Sequence, residues 1–105
     1  MASSFVVVLT TLPSRPEARK ISELLVKKKF AACVNILGPA QSFFRWKGKM
    51  DCVKEFLLLI KTRASRYSSL EKFLKKNHPY SVPEIIALPI VKGNAPYLGW
   101  IKAST

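Results

Sequence analysis

The sequence predicts an α+β protein with a ferredoxin-like βαββαβ fold, in which two helices cover one face of a four-stranded antiparallel sheet. Three observations predict it. Apolar runs of strand length alternate with segments in which apolar residues recur every three or four positions. A glycine-containing corner joins two long strand-like runs. The 105 residues then follow the order strand, helix, strand, strand, helix, strand and tail, which indicates a single domain over 1–105.

The first strand and helix have clear boundaries. Phe5–Thr11 is a continuous apolar run, which is typical of a central strand buried on both faces. Ser14 is the predicted N-cap of the first helix, and Glu17 stands three residues on as its capping-box partner. The apolar stripe of this helix consists of Ala18, Ile21, Leu24 and Leu25. Three lysines, 27–29, end the helix where its dipole favours cations.

A long β-hairpin over 31–62 organises the middle of the chain. Its corner is predicted at 46–49, around Gly48, and Gly38-Pro39 predicts a bulge or bend in the first arm. Each arm is long for a strand, since about five or six residues is typical. We therefore expect the hairpin to extend beyond its own domain and to pair with a neighbouring subunit, because free strand edges need partners.

The remaining elements complete the fold. Tyr67, Leu70, Phe73 and Leu74 have helical spacing, with Ser65 or Ser68 as the predicted cap, the latter paired with Glu71 as a capping box. His78-Pro79 ends this helix, because the residue before a proline resists helical geometry. The run 85–91 predicts the last strand, and its Pro89 places it at an edge or a bulge. The segment 96–101 predicts a short final helix or turn with Tyr97, Trp100 and Ile101 on one side.

Composition limits the classes of function. The net charge of +12 suggests polyanion binding, but no nucleic-acid motif accompanies it and the aromatic residues lie within apolar patterns. We therefore expect a solvated basic surface and no specific nucleic-acid partner. No apolar run approaches the ~20 residues of a membrane span, and the first residues do not resemble a signal sequence. A cytoplasmic protein is expected, and its two cysteines, Cys33 and Cys52, should be free thiols.

Several stretches resemble one family closely. They are VVLTTLPS at 7–14, AACVNI at 31–36, SFFRWKG at 42–48, LLLIKTR at 57–63, HPYSVPEIIALPI at 78–90 and YLGWI at 97–101. Together they are similar to the CutA family, the divalent-cation-tolerance proteins, over nearly the whole chain.

The resemblance implies a homotrimer of ferredoxin-like protomers, held by the long hairpin, that is associated with copper and other divalent cations. It implies no established reaction, so we do not expect an enzyme. Phe44 and Trp46 are the predicted interface residues on the hairpin. Phe44 stands where the family usually has tyrosine, which removes a hydroxyl. The family is also often acidic or balanced, and a charge of +12 would repel free cations at long range. Assembly would also give heat resistance.

Cys33 and His78 are the candidate copper ligands. Thiolate and imidazole are donors that copper selects, and both residues fall in segments that resemble the family. The alternative is a small buried cysteine and a histidine at a helix end. The sequence has no paired ligand spacing such as Cys-x-x-Cys, so only the resemblance favours the metal site.

A second candidate site is a ligand cleft. Its predicted members, beside His78, are Lys61, Thr62, Tyr80, Glu84, Tyr97 and Trp100. We expect the end of the third strand and the loop entering the fourth to meet at one rim of the sheet. The mixture of cation, carboxylate and phenols would suit a small anionic ligand. In the alternative, Glu84 pairs with Lys61 or an arginine of a neighbour, while Tyr97 and Trp100 cover a subunit interface.

Three functional hypotheses follow. The protein is a trimeric, metal-responsive copper binder, a small-ligand sensor similar to the PII signalling proteins, or a trimeric scaffold that anchors an assembly. Cys33 distinguishes the first and the cleft residues the second, whereas the third depends on the interface alone.

Overall fold

The computed structural model describes residues 3–105. Four strands and three helices follow the predicted order, with a short 3₁₀ turn over Ala64–Arg66. The elements are β1 (Phe5–Leu12), α1 (Arg15–Lys27), β2 (Cys33–Trp46), β3 (Lys49–Arg63), α2 (Tyr67–Asn77), β4 (Ile86–Pro89) and α3 (Ala95–Ser104).

The strands form one sheet in the order β2-β3-β1-β4, and each neighbouring pair is antiparallel. Alternate residues of β1 and β3 point into a core beneath α1 and α2, as the period of two along a strand requires. The core consists of Val6, Val8, Leu12, Ala18, Ile21, Leu25, Ala31, Phe56, Leu58, Ile60, Leu70 and Leu74. The predicted α+β, ferredoxin-like arrangement is confirmed.

Turn chemistry explains the hairpin. Trp46 pairs with Lys49, so the turn has two residues, Lys47 and Gly48, with φ of 51° and 78°. Two positive φ values define the turn whose twist matches that of its flanking strands. The expected bulge also occurs, since the register of β2 shifts between Leu37 and Ala40, around Gly38-Pro39.

Helix α1 begins as predicted. The backbone N–H of Glu17 donates to Ser14 Oγ at 3.3 Å, and the Ser14 hydroxyl donates to Glu17 Oε2 at 2.9 Å. The capping prediction for α2 is wrong. Arg66 is its N-cap without a side-chain bond, because the 3₁₀ turn leads directly into the helix and places Ser65 before its first turn and Ser68 within it.

The C-terminal elements are shorter or differently buried than expected. Strand β4 covers Ile86–Pro89, less than the predicted 85–91, and pairs only with β1 at the sheet edge. Helix α3 confirms the final helix, but only Ile101 of its predicted apolar side is buried. Tyr97 and Trp100 remain 42% and 45% exposed, with ring centroids 5.5 Å apart.

One face of the sheet stays partly open. We expected β1 to be buried on both faces, but its residues alternate between buried and half-buried, because no complete layer covers the face opposite α1 and α2. Large apolar side chains are also exposed around β4 and along the part of the hairpin farthest from the helices, residues 37–55, which we call the outer hairpin. They are Leu37, Phe43, Phe44, Trp46, Met50, Val82, Ile86, Leu88 and Val91.

Candidate functional site

The predicted site residues separate into two groups at opposite rims of the sheet. Strands β3 and β4 both run antiparallel to β1, so they are parallel to each other. Lys61, near the end of β3, pairs with Val7, whereas Ile86, at the start of β4, pairs with Leu9. The expected meeting of Lys61 with the loop that enters β4 is therefore wrong. The end of β3 lies beside the start of β1, and the 78–84 loop reaches the other end.

The first group surrounds Cys33. This half-buried free thiol begins β2 and pairs across the sheet with Lys61. The Cys33 thiol donates to Asn35 Oδ1 at 3.8 Å, and Lys61 Nζ donates to the same oxygen. Burial raises the pKa of the Tyr97 phenol, and the adjacent Cys33 sulfur raises it further, which places the C-terminal helix beside the thiol.

Thr62 belongs to neither candidate site. Its side chain is fully buried on the helix side of β3, and its hydroxyl donates to the Phe30 carbonyl at 2.7 Å. This bond fixes the segment between α1 and β2. Thr62 points away from its neighbour Lys61 because successive strand residues face opposite sides of a sheet. Its predicted place in a ligand cleft is therefore wrong.

The second group begins at His78, which follows α2 and contacts the end of β1. Its Nε2–H donates to the Thr11 carbonyl at 2.9 Å, with Thr10 Oγ1 at 3.3 Å. Its Nδ1 accepts from the Tyr80 N–H at 3.1 Å. Burial lowers the pKa of His78, against the opposing effects of the Thr11 carbonyl and of Glu17 and Glu55. Both ring nitrogens of the neutral imidazole are therefore occupied.

These positions rule out a shared metal ion within one protomer. Cys33 pairs with Lys61, and Lys61 pairs in turn with Val7 of β1, whereas His78 contacts Thr11, four residues further along β1. Four residues of strand correspond to about 13 Å, far beyond the ~2 Å of a metal–ligand bond. Within residues 3–105, no three histidine, cysteine or acidic side chains converge into a metal-binding group. The two predicted ligands therefore cannot bind the same metal ion within one protomer.

A cleft of about 860 Å³ lies between the outer hairpin and the 79–84 loop. Two of the predicted ligand residues, Tyr80 and Glu84, line this cleft, whereas Lys61 and the residues of α3 do not. Its lining residues are Thr11, Ser42, Phe43, Phe44, Arg45, Trp46, Asp51, Val53, Glu55, Pro79, Tyr80, Ser81, Val82 and Glu84. The anionic ligand that we expected depended on Lys61, which lies at the other rim.

The floor of this cleft is built on a pair that the sequence did not reveal. The Tyr80 hydroxyl donates to Glu55 Oε2 at 2.8 Å, and Glu55 is only 8% exposed. Burial, together with the adjacent Glu55 carboxylate, raises the pKa of Tyr80 to about 12. The phenol therefore stays protonated and remains a donor. A carboxylate directly before the apolar run Phe56–Ile60 was the available signal, since acidic residues are rarely buried without a partner.

The predicted interface residues lie on the outer hairpin. Phe44 is 40% exposed and Trp46 is 49% exposed, and both line the cleft. Phe43, with 65% exposure, is another aromatic side chain that the protomer leaves uncovered. These side chains form an apolar surface near the turn of the hairpin.

Comparison with known proteins identifies the family. The model of the CutA1 divalent ion tolerance protein family matches residues 6–104. The chain belongs to this family. The solved structure of the divalent cation tolerance protein (Cut A1) from Thermus thermophilus is 46% identical with a TM-score of 0.94, over 96% of this chain and 98% of that chain.

Other family members carry different location names. The periplasmic divalent cation tolerance protein CutA from Archaeoglobus fulgidus has a TM-score of 0.93 at 39% identity, over 95% of this chain and 97% of that chain. The chloroplastic protein CutA of Arabidopsis thaliana is 45% identical over 95% of this chain, which spans only 55% of the plant protein. Across residues 3–105, no helix has the length and apolar character needed to cross a membrane.

Proposed function

We propose that this protein serves divalent-cation tolerance as a homotrimer that binds copper through Cys33 and catalyses no reaction. The observation that carries the proposal is the position of Cys33, a half-buried free thiol on the partly open face of the sheet. Thiolate sulfur favours copper over magnesium or calcium. Family membership supports a role with divalent ions.

The environment of Cys33 argues against catalysis by this thiol. A nucleophilic cysteine needs a general base within hydrogen-bond reach, which is most often a histidine. The one histidine of the chain, His78, lies at the opposite rim with both ring nitrogens bonded. Cys33 instead contacts Asn35 Oδ1, an acceptor that holds the thiol in place.

Competition for Cu(I) under anaerobic conditions tests the copper site. The protein competes with a chromogenic chelator, and the matched variants are Cys33→Ser and Cys52→Ser. Cys52 is an exposed free thiol on the hairpin, so it controls for non-specific thiol binding. Cys33→Ser should weaken binding at least tenfold, and Cys52→Ser should leave it unchanged. Equal copper affinity in the Cys33→Ser variant would remove Cys33 from the proposal.

His78→Asn completes this series. Its ring lies about 13 Å along the sheet from the level of Cys33, so the substitution should not change copper affinity. A tenfold loss in this variant would show that His78 from a neighbouring protomer completes the site.

The apolar outer hairpin supports the trimer. Arms of 14 and 15 residues carry Phe43, Phe44 and Trp46 beyond the core, and burying such side chains stabilises by roughly 1.5–3 kcal/mol each. Light scattering should give about three times the chain mass of 11.8 kDa. Trp46→Lys should reduce this mass. Val26→Lys is the matched control, because Val26 is 44% exposed on α1 and does not line the cleft at Phe43, Phe44 and Trp46.

Small-ligand sensing is the second candidate function, and the hairpin cleft favours it. Its volume of about 860 Å³ falls within the ~300–1,000 Å³ of typical ligand sites.

A trimeric scaffold remains the third hypothesis, and it would be favoured if neither copper nor a small ligand binds. For location we propose the cytoplasm, which fractionation of the native cells would test.

A further inference from the structure

Six exposed lysines lie on the helical side of the protomer. Three of them end α1 and the other three lie on α2. We call them the lysine cluster, and its members are Lys27, Lys28, Lys29, Lys72, Lys75 and Lys76. The cluster accounts for a third of the 18 lysines and arginines in the chain, so the net charge of +12 is concentrated in part on this layer.

A contact between two phenylalanine rings brings the two halves of the cluster together. Phe30 directly follows the three lysines of α1, Phe73 directly follows Lys72, and the two ring centroids are 5.3 Å apart. Lys72, Lys75 and Lys76 fall within an arc of about 100° on one side of Phe73, because each residue turns a helix by about 100°. Both halves therefore lie beside one aromatic contact and form one positive surface.

The acidic residues of the two helices do not balance this surface. Glu17 accepts a hydrogen bond from the Ser14 hydroxyl and Glu71 accepts one from the Tyr67 hydroxyl, and both carboxylates are half-buried. Glu23 is the one exposed carboxylate of α1 and α2. The six lysines therefore outnumber the carboxylates on this layer and attract anions from solution.

Stabilisation of helix ends explains only part of the cluster. Lys27, Lys75 and Lys76 lie in the last turns of their helices, where the dipole favours cations. Lys72 lies before the last turn of α2, beyond the reach of this effect. Lys29 follows the end of α1 with a φ of 61°, a conformation that glycine or asparagine adopts more readily. Local helix chemistry therefore does not require lysine at these two positions.

The helical layer is a poor subunit interface. Exposed large apolar side chains concentrate on the outer hairpin, around β4 and on α3. On α1 and α2, which lie wholly within residues 3–105, Val26 is the single exposed one. The cores of subunit interfaces are depleted in lysine and enriched in aromatic residues. The cluster also lies on the face of the sheet opposite the partly open one, so it stays in solvent in the proposed trimer.

The chemistry of this layer favours the phosphates of a nucleic-acid duplex over other polyanions. A duplex presents closely spaced phosphates on its outside, and lysines neutralise them as flexible point charges. Single strands are bound by stacking their bases on aromatic rings, but Phe30 and Phe73 are half-buried against the core. A membrane-surface helix needs a broad apolar face, and Val26 alone does not provide one.

We infer that the lysine cluster binds the phosphate backbone of a nucleic-acid duplex without reading its base sequence. This agrees with the absence of a nucleic-acid recognition motif from the sequence. Each lysine that neutralises a phosphate releases a counterion, so the affinity falls steeply as salt rises. The inference is separate from the proposed copper binding, and either can fail without the other.

Fluorescence anisotropy of a labelled DNA duplex of about 24 base pairs, between about 50 and 200 mM salt, tests the inference on the assembled protein. The test variant combines Lys28→Gln with Lys76→Gln, one from each half of the cluster. The control combines Lys49→Gln with Lys92→Gln, two exposed lysines outside α1 and α2, so both variants have the same net charge.

The test variant should bind the duplex about tenfold more weakly at about 50 mM salt. Its plot of log affinity against log salt should be shallower by about 1.8, since each phosphate contact contributes about 0.9 to the slope. The control should stay within about twofold of the wild-type protein. Duplexes of unrelated sequence should bind equally well.

Other outcomes would overturn the inference. Equal weakening in both variants would show that affinity follows net charge and not the cluster. Tighter binding of a single strand of the same length would rule out the duplex as the preferred form. No duplex binding at about 50 mM salt would refute the inference outright, and binding to vesicles that contain phosphatidylserine would then assign the cluster to an anionic membrane surface.

Discussion

The Tyr80 hydroxyl donates to Glu55 Oε2 at 2.8 Å and thereby joins the loop before β4 to the middle of the long hairpin. The two residues are 25 positions apart in the sequence. Their bond holds the 79–84 loop against the outer hairpin and closes the floor of the cleft. It also predicts how the protein responds to high pH.

Tyr80→Phe should alter stability between about pH 10 and 12. The folded protein raises the pKa of Tyr80 to about 12 from the 10.0 of a free phenol, so in this range the folded state keeps a proton that the unfolded state loses. The free energy of unfolding therefore falls as the pH rises through this window. Tyr80→Phe should remove this part of the pH dependence.

Absorbance of phenolate near 295 nm provides the direct measurement. The difference between the wild-type protein and Tyr80→Phe isolates one tyrosine, and its midpoint should lie near 12. A difference between the two proteins that is centred near pH 10 would contradict the hydrogen bond from Tyr80 to Glu55. At pH 7 the variant should lose about 1–2 kcal/mol, the value of one hydrogen bond to a charged group at a partly exposed site.

His78 should make stability sensitive to mild acid. Burial lowers its pKa below the ordinary value of 6.5, so at lower pH the unfolded chain binds a proton that the folded chain resists. The free energy of unfolding should therefore be constant above about pH 7 and should fall as the pH drops below 6.5 through the folded pKa.

His78→Asn supplies the comparison. The chain has one histidine, so this window reports on a single residue. Denaturant unfolding between pH 8 and 5 should give a flatter profile for the variant than for the wild-type protein. Equal slopes in the two proteins would show that His78 titrates normally in the folded state.

Two serines test how α1 and α2 begin. Ser14→Ala should lower the free energy of unfolding by about 1 kcal/mol, because it removes the oxygen that accepts the Glu17 N–H. Ser68→Ala should change it by less than about 0.5 kcal/mol, because Ser68 is exposed within α2 and caps nothing. A larger loss from Ser68→Ala would restore the sequence-based capping prediction.

Two hairpin glycines should differ sharply in tolerance. A Cβ on Gly38 would lie 2.9 Å from the Glu55 carbonyl oxygen, at a φ of +146°. Gly38→Ala should therefore lower the free energy of unfolding by about 1–3 kcal/mol. It should also change the shape of the cleft, because the backbone of Glu55 must move. Gly48→Asn should be tolerated, since Gly48 has open space around it and asparagine adopts positive φ readily. Urea unfolding of the two variants gives the comparison.

Local patterns were sufficient to predict the elements of this fold. A continuous apolar run identified β1, Ser14 with Glu17 marked the start of α1, and Gly48 marked the hairpin turn, because each signal acts within a few residues. The start of α2 was missed. A 3₁₀ turn leads into that helix without a side-chain cap, so the nearby serines were misleading.

The candidate site was harder to predict because it depends on strand direction. Lys61 was placed beside the 78–84 loop, although β3 and β4 run parallel and bring the end of one near the end of the other. Glu55 was overlooked, since its partner Tyr80 is distant in the sequence. Only Tyr80 and Glu84 of the predicted ligand residues line the observed cleft, because its other walls come from hairpin residues that the tertiary arrangement brings there.

The opposite placement of Cys33 and His78 along the sheet has a thermodynamic consequence. Sites separated by more than about 7–10 Å without shared partners contribute additively to stability. A ligand at the thiol and a ligand in the cleft would therefore each stabilise the chain by its own mass-action term, and the two terms would add. If both proposed sites are occupied, we expect neither ligand to change the affinity of the other within one protomer. Any cooperativity between them would have to pass through a neighbouring protomer.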